Sequence, residues 1–248
     1  MSAKNSKSGE VATLAAEIRA YCAANANPAL ATKYARYFKE GYDAWGLLDK
    51  NHPYWNEKEA AWREAHAGLG LKGFLLLGEE LFTNGKYEEG ALAIRFLKSF
   101  TAQLDARAMP GIARWFAAGI RNWAHVDVLC AEVLSPALAS GRLGLQDFDT
   151  WRASTARFQR RAVPVAMLSL LKTPAPTAEL LMFIRPLMLD PERVVQQGLG
   201  WFLRETWKRE PMPVEALLLE FKQQAPRVIY QYATEKMTPA RKAAFRRG

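Results

Sequence analysis

Cysteine is nearly absent: Cys22 and Cys130 are the two in 248 residues. Two thiols so placed make no disulfide framework and suit a reducing cytosol. Histidine is as scarce. His52, His66 and His125 are scattered, and neither cysteine stands at ligand spacing from a partner, so no metal is expected. Long apolar runs are missing too; Phe74-Leu75-Leu76-Leu77 is far too short to span a bilayer, which excludes a helical membrane anchor. Residues 1–9 are polar, with no signal-peptide core, and read as a flexible N-terminus. No segment alternates apolar and polar residues well enough for a strand. A phosphate loop is excluded as well, because Gly198-Leu199-Gly200 falls inside a helical pattern with no strand before it. The positions of these residues support no Ser-His-Asp arrangement.

What is present is apolar, aromatic and basic. Half the residues are hydrophobic and eight are tryptophan, so disorder is not the general state. The formal charge of +9 favours a polyanionic partner. Helical periodicity runs through almost the whole chain. Val11, Leu14, Ala15, Ile18 and Cys22 make one stripe, and Asn25-Ala26-Asn27-Pro28 stops that helix and starts the next. An aromatic, glycine-bearing loop follows at Gly41-Tyr42-Asp43-Ala44-Trp45-Gly46, as a packing plug or a ligand-facing surface, and the region to Pro53 has no helical period. Helices are then expected near 56–67, 70–83, 87–100, 111–120, 122–134, 148–158, 160–171, 178–188, 192–208, 214–223 and 227–233, before a basic tail from Arg241 to Arg247. Pro164 should kink its helix or begin it afresh. Short helices in pairs predict an all-α fold, an α-α superhelix of the helical-repeat solenoid type. No low-complexity linker divides residues 10–248, which read as one curved domain with a concave face.

Three segments carry candidate chemistry. In Arg121-Asn122-Trp123-Ala124-His125-Val126-Asp127, Trp123 and Asp127 lie four apart and share a helix face. Asp127 stands among apolar neighbours, where a carboxylate costs several kcal/mol unless it is paired or hydrogen-bonded. A cap, an ion pair or a catalytic task would each account for it. In the second segment Arg157, Arg160 and Arg161 lead into an apolar helix and place a guanidinium near the core boundary. In the third, Val195, Leu199 and Phe202 form one stripe, and Trp201 shares the neighbouring row with Val194 and Gly198. Two glycines inside that helix imply a close approach, by another helix or by a ligand.

Together these segments resemble the helical-repeat alkylpurine DNA glycosylases, the AlkD-like DNA alkylation repair family. The resemblance spans most of the chain, from about Tyr34 to the tail. It rests on Tyr-Phe-Lys-Glu-Gly-Tyr at 37–42, Arg-Asn-Trp-Ala-His-Val-Asp at 121–127, Arg-Arg-Ala-Val at 160–163 and Gly-Trp-Phe-Leu-Arg-Glu at 200–205. It implies a HEAT-like solenoid whose concave face binds DNA, and a site made of Trp123, Asp127, Arg161 and Trp201 in one cleft. Tyr42, Arg121, Arg160, Arg204 and Lys208 would contact the DNA. The implied activity is hydrolysis of the N-glycosidic bond of cationic N3- or N7-alkylated purines, such as 7-methylguanine and 3-methyladenine. The implied enzyme is monofunctional, cofactor-free and metal-free. It would be a monomer acting on duplex DNA in base excision repair, in a bacterial cytoplasm, associated with the nucleoid through DNA. Many relatives carry an acidic residue directly after the first tryptophan, where this chain has Ala124 and then His125. Some relatives bind unusual DNA without excising a base, so a non-catalytic helical-repeat protein binding branched or damaged DNA is the alternative.

Overall fold

The computed structural model describes residues 2–47, 53–83 and 85–246. His52, Arg247 and the stretch between Leu47 and Pro53 lie outside the described residues. Helices account for most of the chain, and the described residues contain no strand. The chain forms two compact units, Met1–Val133 and Leu134–Gly248.

The first unit contains α1 (Ser2–Ala24), α2 (Pro28–Ala35), α3 (Pro53–Ala65), α4 (Gly70–Phe82), α5 (Tyr87–Lys98), α6 (Met109–Ala118) and α7 (Trp123–Leu129). α1 runs back through the polar stretch that the sequence reads as a flexible N-terminus, and buries the stripe Val11, Leu14, Ala15, Ile18 and Cys22. The Asn27 side chain accepts the Leu30 amide at 3.1 Å with Pro28 at the first turn, so a side-chain cap and a pre-set φ start α2 where the sequence predicts. α4 is the centre of this unit, packed against α1, α5 and α6 with Phe74, Leu77 and Leu81 buried. Gly78 lets the Trp115 indole lie on its backbone, and the indole N–H donates to the Leu75 carbonyl at 2.8 Å. A buried tryptophan needs such a partner for its polar edge.

The second unit contains α8 (Ser135–Ala139), α9 (Asp149–Arg152), α10 (Arg157–Ala166), α11 (Thr177–Ile184), α12 (Arg193–Arg209), α13 (Pro211–Glu220), α14 (Arg227–Ala233) and α15 (Pro239–Ala243). α12 packs between α10 and α14, and its stripe Val195, Leu199 and Phe202 is wholly buried. Pro164 does not restart the helix. The α-helix continues to Ala166 and tightens into a 3-10 run, Met167–Lys172.

Two helix limits differ from the periodicity. The 122–134 helix does not stop at Ser135-Pro136; it widens into a π turn, Cys130–Leu134, and resumes as α8 with Pro136 in the first turn, where no amide is needed. The 148–158 helix is interrupted after Arg152. Ser154 Oγ accepts the Ala156 amide at 3.1 Å and donates to Gln159 Oε1 at 2.6 Å, a local bond that competes with the helical ladder.

Candidate functional site

Trp123 opens α7 with 45% of its surface exposed, and Asp127, one turn on, is half-buried. Leu129, across the helix, is fully buried, and so are Val126 and Cys130, which flank the Trp123–Asp127 row; Trp123 and, in part, Asp127 are what this row leaves open. Asn122 sets this orientation. Its Oδ1 accepts the His125 amide at 2.9 Å, capping the helix, and its Nδ2 donates to the Gly41 carbonyl at 3.0 Å. Gly41 has φ +67°, and a Cβ there would lie 2.1 Å from the Arg121 carbonyl oxygen, so only glycine allows this approach.

The motif at 37–42 is thereby brought against the motif at 121–127. The Trp123 ring lies on Phe38 at 5.7 Å between centroids, and Phe38 stacks on Tyr42 at 4.5 Å with the planes 4° apart. Tyr42 buries its hydroxyl, which has no hydrogen-bond partner among the described residues, and burial next to Glu88 pushes its pKa up to about 12. Tyr42 therefore faces inward as a spacer in the stack. The exposed ring of the motif is Tyr37, 56% accessible, with the Arg36 guanidinium 4.9 Å from its centroid. Arg121 is exposed and, like Lys33, Arg36 and Lys39, makes no ion pair among the described residues.

The aromatic loop at 43–47 is anchored by two buried glutamates of α5. Glu88 accepts the amides of Trp45, Gly46 and Leu47 at 2.8–2.9 Å. Glu89 accepts the Trp45 indole N–H at 2.9 Å and Arg19 Nε at 3.0 Å. The loop is thus a packing plug at Trp45, while Asp43 within it and Tyr37 and Lys39 before it are exposed. Sequence reading passes over Glu88 and Glu89, because two acids in the first turn of a helix look like ordinary dipole partners.

In the second unit the two adjacent arginines part company. Arg160 pairs with both oxygens of Asp190, at 2.5 and 3.2 Å, and donates to the Ser154 carbonyl at 2.7 Å. Arg161 is 6% exposed and donates from Nη1 to the Val194 carbonyl at 2.8 Å. Its aliphatic stem lies over Gly198, and Gly200 meets the backbone of α14 at Ile229 and Ala233, so both helix glycines serve helix packing. Trp201 is half-buried and lines an open hollow of about 550 Å³ with Leu168, Leu171, Lys172, Glu205, Lys208 and Arg209. Arg204 is held by Glu205 and Glu235, and Lys208 by Glu205 at 2.7 Å. Among the described residues no three acidic, histidine or cysteine side chains gather as a metal site, and no helix is long and apolar enough to cross a membrane.

Paired helices bearing an exposed tryptophan, a carboxylate one turn on and cations that make no ion pair among the described residues define an all-α protein suited to a polyanion. The sequence model of the family described as a DNA alkylation repair enzyme matches residues 18–237, and the chain belongs to that family. A solved structure titled as a predicted DNA alkylation repair enzyme from Enterococcus faecalis shares the fold, with a TM-score of 0.60 at 17% identity over 86% of this chain and 97% of that one. No curated protein sequence matches this chain.

Proposed function

We propose that the protein is a monofunctional DNA glycosylase releasing cationic N3- and N7-alkylated purines from duplex DNA. The observation that carries this is the outward face of α7, where an exposed Trp123 and a half-buried Asp127 stand one turn apart. Alkylation at N7 of guanine or N3 of adenine places a positive charge on the base, which then leaves without protonation. The remaining barrier is the cationic sugar formed as the glycosidic bond breaks. A carboxylate about 4 Å from that charge contributes on the order of 4 kcal/mol at an effective dielectric near 20. That is roughly a thousandfold in rate. In this reading Asp127 supplies the charge and orients the attacking water. Trp123 holds the deoxyribose, with cation–π attraction of roughly 0.5–2 kcal/mol. Arg161 would grip a flanking phosphate after exchanging its bond to the Val194 carbonyl, an exchange of one acceptor for a stronger, charged one.

The alternative is a non-catalytic protein that binds branched or damaged DNA. The internal bonding of Arg160 and Arg161 favours it, since a guanidinium engaged inside the fold is not waiting for a phosphate. Incubation with duplex containing 7-methylguanine, with free base measured against time, decides between the two. Base release above the spontaneous rate, with the strand left intact until alkali treatment, is the expected result. Tight duplex binding without release would establish the alternative.

A further inference from the structure

The rings around α7 form a closed circuit. His125 stacks on Tyr87 of α5 at 4.5 Å with planes 16° apart. Tyr87 meets Tyr42 at 5.4 Å, Tyr42 stacks on Phe38, and Phe38 returns to α7 at Trp123. Two residues of one helix, 123 and 125, thus hold the 37–42 segment from its two ends. A hydrogen-bond chain runs parallel to the rings. Asn122 Nδ2 donates both to the Gly41 carbonyl and to His125 Nδ1, each at 3.0 Å, and His125 Nε2 lies 2.8 Å from the Tyr87 carbonyl.

Backbone groups fix every proton in this chain. Asn122 Oδ1 must face the His125 amide and Nδ2 the Gly41 carbonyl, so the amide has one orientation. Nδ1 of His125 then meets a donor and must accept, while Nε2 meets a carbonyl and must carry the proton. The imidazole is a neutral linker with one acceptor and one donor, each used. It lies over Gly90, where a Cβ would be 2.9 Å from Cε1, and edge-on to Phe82 of α4. The titratable groups around it are Tyr87, on which it stacks, and Glu88 and Glu89 of the same helix, whose carboxylates are turned to the 45–47 amides and to Arg19.

We infer that His125 is a positioning residue: through Asn122 and Tyr87 it clasps the 37–42 segment, so that Tyr37, Arg36 and Lys39 stand beside Trp123 as one preformed surface for the phosphate backbone of duplex DNA. The inference rests on the reading that the Trp123 face meets DNA, and it adds a residue with no contact to the substrate. Preforming an exposed segment removes the ordering cost that binding would otherwise carry. Asp127 lies on α7 itself, so loosening the clasp should change duplex affinity and leave the chemical step nearly untouched.

Three variants test this against the wild type. His125→Phe keeps the stacking ring and loses both hydrogen bonds. His125→Gln keeps an acceptor and a donor. Asn122→Asp keeps the helix cap and turns an acceptor toward the Gly41 carbonyl. In His125→Phe and Asn122→Asp, amides from Phe38 to Leu47 should exchange hydrogen about tenfold faster, as loss of a bond worth about one decade requires. Undamaged-duplex affinity should fall by about fivefold to twentyfold, with the single-turnover rate at saturating protein within about twofold of wild type. His125→Gln should restore exchange and affinity to within about threefold. Asn122→Asp carries the test if His125→Phe does not fold. Unchanged loop exchange in a folded variant, faster exchange without weaker duplex binding, or no recovery with glutamine would each overturn the clasp. If the wild type binds duplex but releases no 7-methylguanine, the proposed activity fails while exchange and affinity still judge the clasp.

Discussion

At the scale of the residue, Asp127 and His125 stand two positions apart on α7 and lead to opposite expectations. Asp127→Asn keeps size and hydrogen-bonding capacity but removes the charge that would oppose the developing positive sugar. Excision of 7-methylguanine should fall by roughly one to three orders of magnitude. Folding should survive, since an amide is easier to bury than a carboxylate. Undamaged-duplex affinity should stay level or rise slightly. If Asp127 served only a structural ion pair, melting would drop and activity would track the folded fraction. A folded, DNA-binding variant with wild-type excision removes Asp127 from the mechanism. For His125 the observable is pH. Burial pushes its pKa down to about 4, against the weaker opposing pull of the Tyr87 carbonyl. Between pH 6.5 and 4 the unfolded chain therefore holds a proton at this position that the folded chain does not. Stability attributable to His125 is complete above pH 6.5 and declines as pH falls, by up to about 1.4 kcal/mol per unit. Melting temperatures of wild type and His125→Gln should diverge across that window, the wild type falling faster. Parallel curves would refute a buried neutral imidazole.

At the scale of the element, α12 separates two kinds of glycine. A Cβ on Gly200 would lie 2.5 Å from Tyr232 Cβ and 2.9 Å from the Ile229 carbonyl oxygen, so α14 as a whole must move. A Cβ on Gly198 meets Arg161 Cγ at 3.2 Å and Val165 Cγ2 at 3.3 Å, the first part of a flexible side chain. Alanine gains roughly 1 kcal/mol of helix propensity at either site. Gly200→Ala should nonetheless destabilise by about 1–3 kcal/mol through overpacking. Gly198→Ala should fall within about 1 kcal/mol of wild type, gain and crowding nearly cancelling. Urea midpoints compare the two directly, and equal losses would contradict the packing described. The pattern of Val195, Leu199 and Phe202 made the buried face of α12 legible, and two helix glycines announced a close approach. Which glycine meets backbone and which meets a side chain is decided by partners 29 to 37 residues away. The same holds for the ends of elements. The Asn27-Pro28 start is a strong local signal and was readable, whereas the Ser154 bond that interrupts 148–158 is local but sits inside an apolar pattern that reads as one helix, and the π turn after Leu129 has no signal in the spacing.

At the scale of the molecule, the charge was legible and its pairing was not. Composition gives +9, the resemblance implies DNA contacts at Arg204 and Lys208, and the sequence ends in a basic tail from Arg241 to Arg247. In the fold Arg204 and Lys208 are met by Glu205 and Glu235, Arg241 by Glu215 at 2.6 Å, and Arg209 donates to the Leu170 and Ala175 carbonyls. Glu235 and Glu215 lie 31 and 26 positions from their arginines, so no local motif announces them. Lys33, Arg36, Lys39 and Arg121, by contrast, carry charge with no ion pair among the described residues. Duplex binding should weaken steeply with salt, since each phosphate neutralised releases counterions and contributes about −0.9 to the slope of log K against log salt. The contributions should be unequal. Arg121→Ala and Lys39→Ala should each flatten the slope by about 1 and weaken all duplex sequences alike. Lys208→Ala should flatten it by clearly less, because Glu205 already satisfies that ammonium and a phosphate must displace it. Titrations of one duplex from about 50 to 200 mM salt measure all three. Equal flattening by the three substitutions would show that the ion pairs open freely on DNA, and an affinity that barely moves with salt would remove the electrostatic basis of the interface.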